Sequence, residues 1–162
     1  MTVEEDIGAF LIHYGMKIST AESCTGGLLS SKLTDISGSS AYITLNLVTY
    51  ANGTKHKLLG VDEEILNTKG AVSEECAFQM AKGLYELTKS DICVSTTGIA
   101  GPTGGTKEKP VGLMFTAVKY NGIATVKEVR LSPDLPRIEM KQKFSDEALK
   151  LALSVLKDNR IA

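Results

Sequence analysis

The pattern of apolar and polar residues changes its period several times along the chain, and each change predicts a boundary between a helix and a strand. Helical patterns occupy five segments, at residues 3–14, 28–36, 61–68, 74–89 and 137–157. Runs rich in β-branched and aromatic residues predict five strands, at residues 16–21, 42–50, 92–97, 111–120 and 123–131. Helices and strands therefore alternate through most of the chain.

Local signals fix several of these boundaries. Thr2 and Glu5 have the spacing of a capping box, and Ser73 stands where an N-cap would open a helix with an acidic first turn. Asn121-Gly122 separates two alternating runs, which is a strong signal for a β-hairpin. We therefore interpret residues 1–162 as one three-layer α/β/α domain with a mixed, mostly parallel sheet and one C-terminal antiparallel hairpin.

Two glycine-rich segments each follow the C-terminal end of a predicted strand, at residues 22–27 and 98–106. Ligands bind at this edge of open α/β sheets, so we expect one site built from both segments. The first segment also precedes a helix, and free backbone N–H groups there favour an anion such as phosphate. A tight strand-to-helix connection with Thr25 as N-cap explains the same pattern equally well.

Residues 37–55 contain a second arrangement of interest. A polar turn that includes Ser40 precedes one predicted strand, and Asn52-Gly53 turns the chain toward Lys55 after it. Tertiary folding would have to bring the hydroxyl and the amine together to form a Ser/Lys pair. The alternatives are a turn or capping role for Ser40 and a solvated surface position for Lys55.

Ser23 and Cys24 are rival nucleophiles, because they lie where a strand, a turn and a helix meet. Glu22, directly before them, suits three roles: a structural cap, an acceptor for a ribose hydroxyl, or a partner that stabilises the fold. The two histidines supply a Ser-His-Asp triad poorly and a metal site even less well.

The composition narrows the classes of function. A net charge of −1 and a pI near 6.1 give no electrostatic reason to expect nucleic acid. No apolar run is long enough to span a membrane, and the acidic N-terminus is unlike a signal peptide, so we expect no membrane partner and a cytoplasmic location. The three cysteines are far apart and match neither a disulfide framework nor a zinc site.

Five motifs occur together in one order along the chain. They are T-A-E-S-C-T-G-G at residues 20–27, S-G-S-S-A at 37–41, V-T-Y-x-N-x-x-K at 48–55, G-A-V-S at 70–73 and G-I-A-G-P-x-G-G-x-x-x-K-P-V-G at 98–112. This set resembles the C-terminal domain family of the competence- and damage-inducible protein CinA, whose stand-alone members are nicotinamide-nucleotide amidohydrolases. The resemblance covers about residues 18–118.

The resemblance implies hydrolysis of the carboxamide of nicotinamide mononucleotide to nicotinic acid mononucleotide and ammonia, with no metal and no other cofactor. It implies a nucleophile at Ser40, a base at Lys55 and a supporting hydroxyl at Tyr50. The residues expected to bind this small-molecule substrate are Glu22, Ser23, Cys24, Thr25, Gly26, Gly27, Thr97, Gly98, Gly101, Gly104 and Gly105.

The chain departs from the family pattern at several positions. Gly53-Thr54 stands where the family usually has an acidic or small pair before the lysine. Leu45-Asn46 replaces an arginine-glycine pair, and Leu135 and Glu139 replace two arginines near the last helix. The loss of these cations predicts weaker affinity for an anionic substrate. A second hypothesis follows, a nucleotide-binding regulatory module that kept the pocket and lost catalysis. For either function we expect a homo-oligomer.

Overall fold

A computed structural model describes residues 1–158, and residues 159–162 of the predicted domain lie outside the described part. The strands are β1 (Ile18–Glu22), β2 (Ile43–Val48), β3 (Ile92–Gly98), β4 (Leu113–Tyr120) and β5 (Ile123–Arg130). The helices are α1 (Val3–Tyr14), α2 (Leu28–Thr34), α3 (Asn52–Leu59), α4 (Glu63–Thr68), α5 (Glu74–Thr88) and α6 (Arg137–Asp158).

The five strands form one sheet in the order β2-β1-β3-β4-β5. β1 pairs in parallel with β2 and with β3, whereas the β3–β4 and β4–β5 pairs are antiparallel. β4 alone runs against the other strands. This confirms the predicted mixed, mostly parallel sheet with an antiparallel hairpin at its C-terminal end.

Helices cover both faces of the sheet and bury a separate apolar cluster on each. On one face, α1, α2 and α6 pack on the sheet through Leu11, Leu33 and Leu149. On the other face, α3 and α5 pack through Leu59, Met80 and neighbouring residues. These two clusters fix the position of the sheet edge at which the parallel strands end. No helix within residues 1–158 is both long and apolar enough to cross a membrane.

Local signals in the sequence are confirmed where they depend on near neighbours. Thr2 and Glu5 form a reciprocal capping box, and the Ser73 side chain accepts a hydrogen bond from the Cys76 backbone N–H. Asn121 and Gly122 have φ values of 52° and 79°, the positive angles that a tight hairpin turn requires. The helical spacing of apolar residues in α5 also predicts a buried position for Leu87, but this residue is 53% exposed.

The segment after β2 differs from the prediction. Asn52 and Gly53 form the first turn of α3 instead of a turn into a loop, so Lys55 lies on a helix. The C-terminal end of α3 packs closely on α5 at Gly83, where a Cβ atom would lie 1.7 Å from the Leu59 carbonyl oxygen. The absence of a side chain at Gly83 therefore sets how deeply the helix of Lys55 sits.

Candidate active site

Three parallel strands end at one edge of the sheet, and most of the predicted site residues lie there. Glu22 at the end of β1 is paired with Val48 at the end of β2, and the Thr49 N–H donates to the Glu22 carbonyl oxygen. β3 runs parallel to β1 and ends at Gly98. The segments that follow these strands are therefore neighbours in space.

Lys55 reaches from α3 into this edge and is almost completely buried, with 1% of its surface exposed. Its Nζ atom lies 3.1 Å from Ser23 Oγ and donates to the backbone carbonyl oxygens of Thr49, at 2.8 Å, and Tyr50, at 3.0 Å. The structure thus joins Lys55 to Ser23, the nucleophile that sequence analysis left as a rival.

None of these three partners carries a charge, and this bears on the protonation of the amine. Burial lowers the pKa of Lys55 from its usual 10.5, while the buried thiols of Cys76 and Cys24 act in the opposite direction. The two carbonyl oxygens can only accept hydrogen bonds. In the neutral amine both N–H groups therefore donate to the carbonyls, and the lone pair faces Ser23 Oγ.

Ser40 does not form the predicted pair with Lys55. It belongs to a 3-10 turn, Ser39–Ala41, that precedes β2, and it is exposed. The Lys55 amine lies beyond the other end of β2, whose six residues span about 20 Å at roughly 3.3 Å per residue. The strand itself therefore keeps the Ser40 hydroxyl and the amine at opposite edges of the sheet.

Tyr50 contributes to the site in a different way from the prediction. Its backbone carbonyl holds the Lys55 amine, but its hydroxyl accepts a hydrogen bond from Nη2 of Arg137 at 3.1 Å. The side chain is 59% exposed. The phenol therefore faces an open pocket and not the amine, so the backbone and not the hydroxyl orients Lys55.

The Glu22 carboxylate occupies the N-terminus of α2. Its oxygens accept from the backbone N–H groups of Gly27, Leu29 and Ser30 at 2.9–3.1 Å, and from the hydroxyls of Thr25 and Ser30. The predicted anion site at this helix is therefore filled by the protein's own carboxylate. Of the three roles suggested for Glu22, the geometry is that of a structural cap.

Thr25 is also not the N-cap of α2, which is Gly27 with a φ of 102°. The Thr25 hydroxyl donates to Glu22 and lies 2.8 Å from the Thr96 hydroxyl, which in turn accepts from the Ser23 N–H at 3.4 Å. This chain of hydrogen bonds fixes the backbone of Ser23 against β3.

Cys24 is buried beside Ser23 and lacks the properties of a nucleophile. Burial, opposed more weakly by a hydrogen bond with Thr96, raises the pKa of its thiol to about 12. Thiolates and not thiols are nucleophilic, and this thiol stays protonated at neutral pH. Of the two rivals at the turn, Ser23 alone has a base beside it.

A pocket of about 210 Å³ is bounded by Cys24, the residue after Ser23, and by Tyr50, whose backbone carbonyl binds the Lys55 amine. Cys24, Tyr50 and the glycine loop after β3 line it, including three of the predicted residues, Gly98, Gly101 and Gly104. Thr97 and Gly105 lie outside it: the Thr97 hydroxyl donates to the Ala71 carbonyl oxygen, and Gly105 packs against the backbone of Val111.

Larger clefts lie elsewhere on the surface, among them two of about 320 and 460 Å³. One is lined by residues of α3 and α4, and the other by residues of α4, α5 and β5. Neither contains any of the predicted site residues. The smaller pocket is therefore the candidate site, because Cys24 and Tyr50 in its wall adjoin Ser23 and hold Lys55.

Arg137, the first residue of α6, completes the pocket and was missed by sequence analysis. Its Nη1 donates to the Gly101 carbonyl oxygen at 2.5 Å and its Nη2 to the Tyr50 hydroxyl, so it joins the glycine loop to the segment after β2. The only local signal is an arginine after Pro136 at a helix start. That position does not indicate where the helix points.

The two positions where family arginines are missing flank Arg137. Leu135 packs against the apolar cluster that includes Cys24 and Ala100, and Glu139 is exposed. Within residues 1–158, no group of three or more His, Cys, Asp or Glu side chains is placed to hold a metal ion.

Known proteins with similar sequences carry the CinA name. The chain is 49% identical to a CinA-like protein of Chloroherpeton thalassium and 46% identical to a putative competence-damage inducible protein of Caldicellulosiruptor saccharolyticus. Each match covers 96% of this chain but only 38% and 36% of the relative. The chain thus spans less than two fifths of the length of these curated relatives.

Solved structures match over almost their whole length. A competence/damage inducible protein from Agrobacterium tumefaciens superposes with a TM-score of 0.91 at 43% identity, covering 96% of this chain and 95% of that one. Competence damage-inducible protein A from Klebsiella pneumoniae gives 0.92 at 29% identity, covering 98% and 97%. The CinA C-terminal domain, as a family, matches residues 1–156. This chain therefore belongs to the CinA C-terminal domain family.

Proposed function

We propose that this protein hydrolyses the carboxamide of nicotinamide mononucleotide with Ser23 as nucleophile and Lys55 as base. The observation that carries the proposal is the buried contact of 3.1 Å between Lys55 Nζ and Ser23 Oγ. A serine hydroxyl is inert toward an amide unless a base removes its proton, and a lysine serves only when it is neutral. Burial lowers the pKa of Lys55, which favours the neutral amine over the ammonium.

The proposed reaction has two halves. Ser23 Oγ bonds to the carboxamide carbon while Lys55 takes the hydroxyl proton, and the carbonyl electron pair moves onto oxygen. The tetrahedral intermediate then collapses, Lys55 returns the proton to the leaving nitrogen, and ammonia departs. The neutral lysine next removes a proton from water, whose oxygen attacks the acyl-serine. When the second tetrahedral intermediate collapses, Lys55 returns this proton to Ser23 Oγ, and nicotinic acid mononucleotide leaves.

The negative oxygen of the intermediate needs hydrogen-bond donors. The Cys24 N–H follows the nucleophile directly, the position that supplies one donor in other serine hydrolases with a strand-turn-helix nucleophile. The glycine loop at residues 98–101 lines the same pocket and offers a second source of backbone N–H groups. Each such donor is worth about 3–4 kcal/mol of transition-state stabilisation.

The lining of the pocket suits the nicotinamide ring. The ring of the nucleotide is a pyridinium cation, and the exposed Tyr50 side chain presents an aromatic face at the pocket wall. An aromatic face attracts a cationic ring by both stacking and cation–π contact. The family resemblance supports the same substrate class.

The experiment that tests this function is ammonia release from nicotinamide mononucleotide by the purified protein. We expect steady release in the presence of a chelator, because a Ser/Lys pair needs no metal. Ser23→Ala is the matched blank, since it removes only the attacking oxygen. Binding of the nucleotide without ammonia release would instead support the regulatory module with the same pocket.

Two further expectations belong with this proposal. We propose a cytoplasmic enzyme, because its substrate class is a cellular nucleotide, and a homo-oligomer, which size-exclusion chromatography with light scattering tests directly. Both concern this chain alone, because the longer CinA relatives contain additional sequence that it does not match.

A further inference from the structure

Two positive side chains of α6 lie near the candidate site, Arg137 at the pocket and Lys141 at the turn that contains Cys24. Arg137 and Lys141 are four residues apart, so they project from the same face of the helix. Arg137 lines the pocket itself. Lys141 reaches the turn after β1, where its Nζ lies 3.3 Å from the place that a Cβ atom on Gly26 would take.

Neither of these cations is paired with a carboxylate in the described part of the chain. Arg137 donates only to neutral acceptors, the Gly101 carbonyl and the Tyr50 hydroxyl, and Lys141 Nζ makes no hydrogen bond there. Lys32, which also approaches α6, is by contrast paired with Asp146 at 2.9 Å. One unpaired positive charge, Arg137, thus lies at the pocket, and a second, Lys141, lies beside the turn whose Cys24 lines that pocket.

The nearest buried anion does not neutralise them. The Glu22 carboxylate lies behind the same turn, but its oxygens accept five hydrogen bonds from Thr25 and from the start of α2. Its oxygens are therefore already bound within the turn and α2, and no ion pair joins it to Arg137 or Lys141 in the described part of the chain.

We infer that Arg137 and Lys141 bind the phosphate of the nucleotide substrate, an inference that rests on the proposed function and names its specificity residues. A phosphate monoester carries nearly two negative charges at neutral pH. A guanidinium binds two phosphate oxygens at once and an ammonium adds a point charge, so the pair matches that group in charge and in hydrogen-bond donors. Arg137 keeps N–H groups free for this contact.

With Arg137 and Lys141 at the phosphate, we no longer expect the weaker affinity for an anionic substrate that the missing arginines predicted. Leu135 cannot hold phosphate because it packs in an apolar cluster, and Glu139 would repel it. Arg137 and Lys141 supply two cations, each two residues further along the chain than the position where an arginine is missing. The chain therefore keeps its preference for a phosphorylated ligand although both expected arginines are missing.

The test compares nicotinamide mononucleotide with its dephosphorylated riboside. Lys141→Gln and Arg137→Gln should each raise the dissociation constant for the nucleotide by about ten- to a hundredfold, the usual loss for one charged hydrogen bond. The riboside should change little, so the ratio of the two dissociation constants should fall. Lys143→Gln, an exposed lysine on the same helix, is the control and should leave the ratio unchanged.

Binding is measured by calorimetry on the Ser23→Ala background, which separates recognition from turnover. If one variant leaves the ratio of the two dissociation constants unchanged, the residue replaced in it does not bind the phosphate. If both variants leave this ratio unchanged, the inference is wrong. The two proposals can fail separately. If the wild type releases no ammonia but binds the nucleotide more tightly than the riboside because of these two cations, the proposed function is wrong and the phosphate site is still supported.

Discussion

Ser23 and Ser40 both lie in polar turns beside a strand, but at opposite edges of the sheet. Ser23 follows β1 at the edge where the parallel strands end, and Ser40 precedes β2 at the other edge. Lys55 is closer in sequence to Ser40, yet its amine contacts Ser23, 32 residues away. Parallel pairing of β1 with β2 explains this, because it places the segment after β2 beside the segment after β1.

The two serines also differ in how firmly they are held. The Ser23 N–H donates to Thr96 and its hydroxyl contacts a buried amine, whereas Ser40 is exposed. Among the described residues no base lies within hydrogen-bond distance of Ser40, so its hydroxyl is not activated. The comparison shows that the position of a serine-containing turn in the sheet, and not its local sequence, decides whether a base lies beside the serine.

The largest effect should come from the base. Lys55→Ala should lower kcat for ammonia release by about a hundred- to ten-thousandfold, the usual contribution of a positioned base. Lys55→Arg should not restore it, because arginine keeps its proton at working pH. Lys57→Ala, an exposed lysine on the same helix, is the control. Activity in Lys55→Arg would mean that the residue acts as a cation.

The second largest effect should be that of pH on kcat/KM for ammonia release. Since the neutral amine is the active form and burial lowers the pKa of Lys55, kcat/KM should rise about tenfold per pH unit below that pKa and then level off. A rate that falls as pH rises through the neutral range would exclude Lys55 as the base.

The same lowered pKa predicts how stability changes with pH. The unfolded chain binds the Lys55 proton more tightly than the folded protein, so the burial cost is present below the folded pKa and disappears as pH approaches 10.5. The free energy of unfolding of the wild type should therefore gain on that of Lys55→Met as pH rises. Parallel curves for the two proteins would contradict this.

Glu22→Gln should affect both stability and rate. Both carboxylate oxygens accept hydrogen bonds from α2, so an amide NH₂ in one position would face N–H donors. Lost hydrogen bonds to a charged group cost about 1.5–3 kcal/mol each, visible as a lower melting temperature. We expect kcat to fall as well, because Ser23 follows directly. Glu86→Gln, on the exposed surface, should change neither.

Two glycines that lie in helices should respond oppositely to alanine. Gly83→Ala should destabilise the protein by about 1–3 kcal/mol and lower kcat, because the new Cβ would push α3, and with it Lys55, away from α5. Gly53→Ala, within α3 itself, meets no atom within 4 Å and should stabilise by up to about 1 kcal/mol. Denaturant unfolding measures both; loss of stability in both variants would contradict the packing role of Gly83.

The smallest effect should come from the Tyr50 hydroxyl. Tyr50→Phe removes the hydrogen bond with Arg137 but keeps the backbone carbonyl that holds Lys55. We expect less than about a tenfold loss in kcat/KM, the equivalent of one ordinary hydrogen bond. A loss of several hundredfold in kcat would show that the phenol relays a proton.

Short-range features were predictable from the sequence, and long-range ones were not. The capping box at Thr2, the N-cap at Ser73 and the Asn121-Gly122 hairpin each depend on residues within a few positions. The contact of Arg137 with Tyr50 joins residues 87 positions apart, and no local pattern encodes it.

The start of α2 shows a second limit. The pattern of a strand, two glycines and a helix indicates that an anion is needed, but not whether it comes from a ligand or from the protein. Glu22 lies inside the motif itself, and its side chain turns forward to cap the helix. Residue type alone does not distinguish this carboxylate from one that binds substrate.

The most direct test of the central claim is ammonia release from nicotinamide mononucleotide by Ser23→Ala and Ser40→Ala, with circular dichroism to verify that both variants fold. The proposed mechanism predicts no release above background from Ser23→Ala and a rate close to wild type from Ser40→Ala. An inactive, folded Ser40→Ala together with an active Ser23→Ala would contradict it.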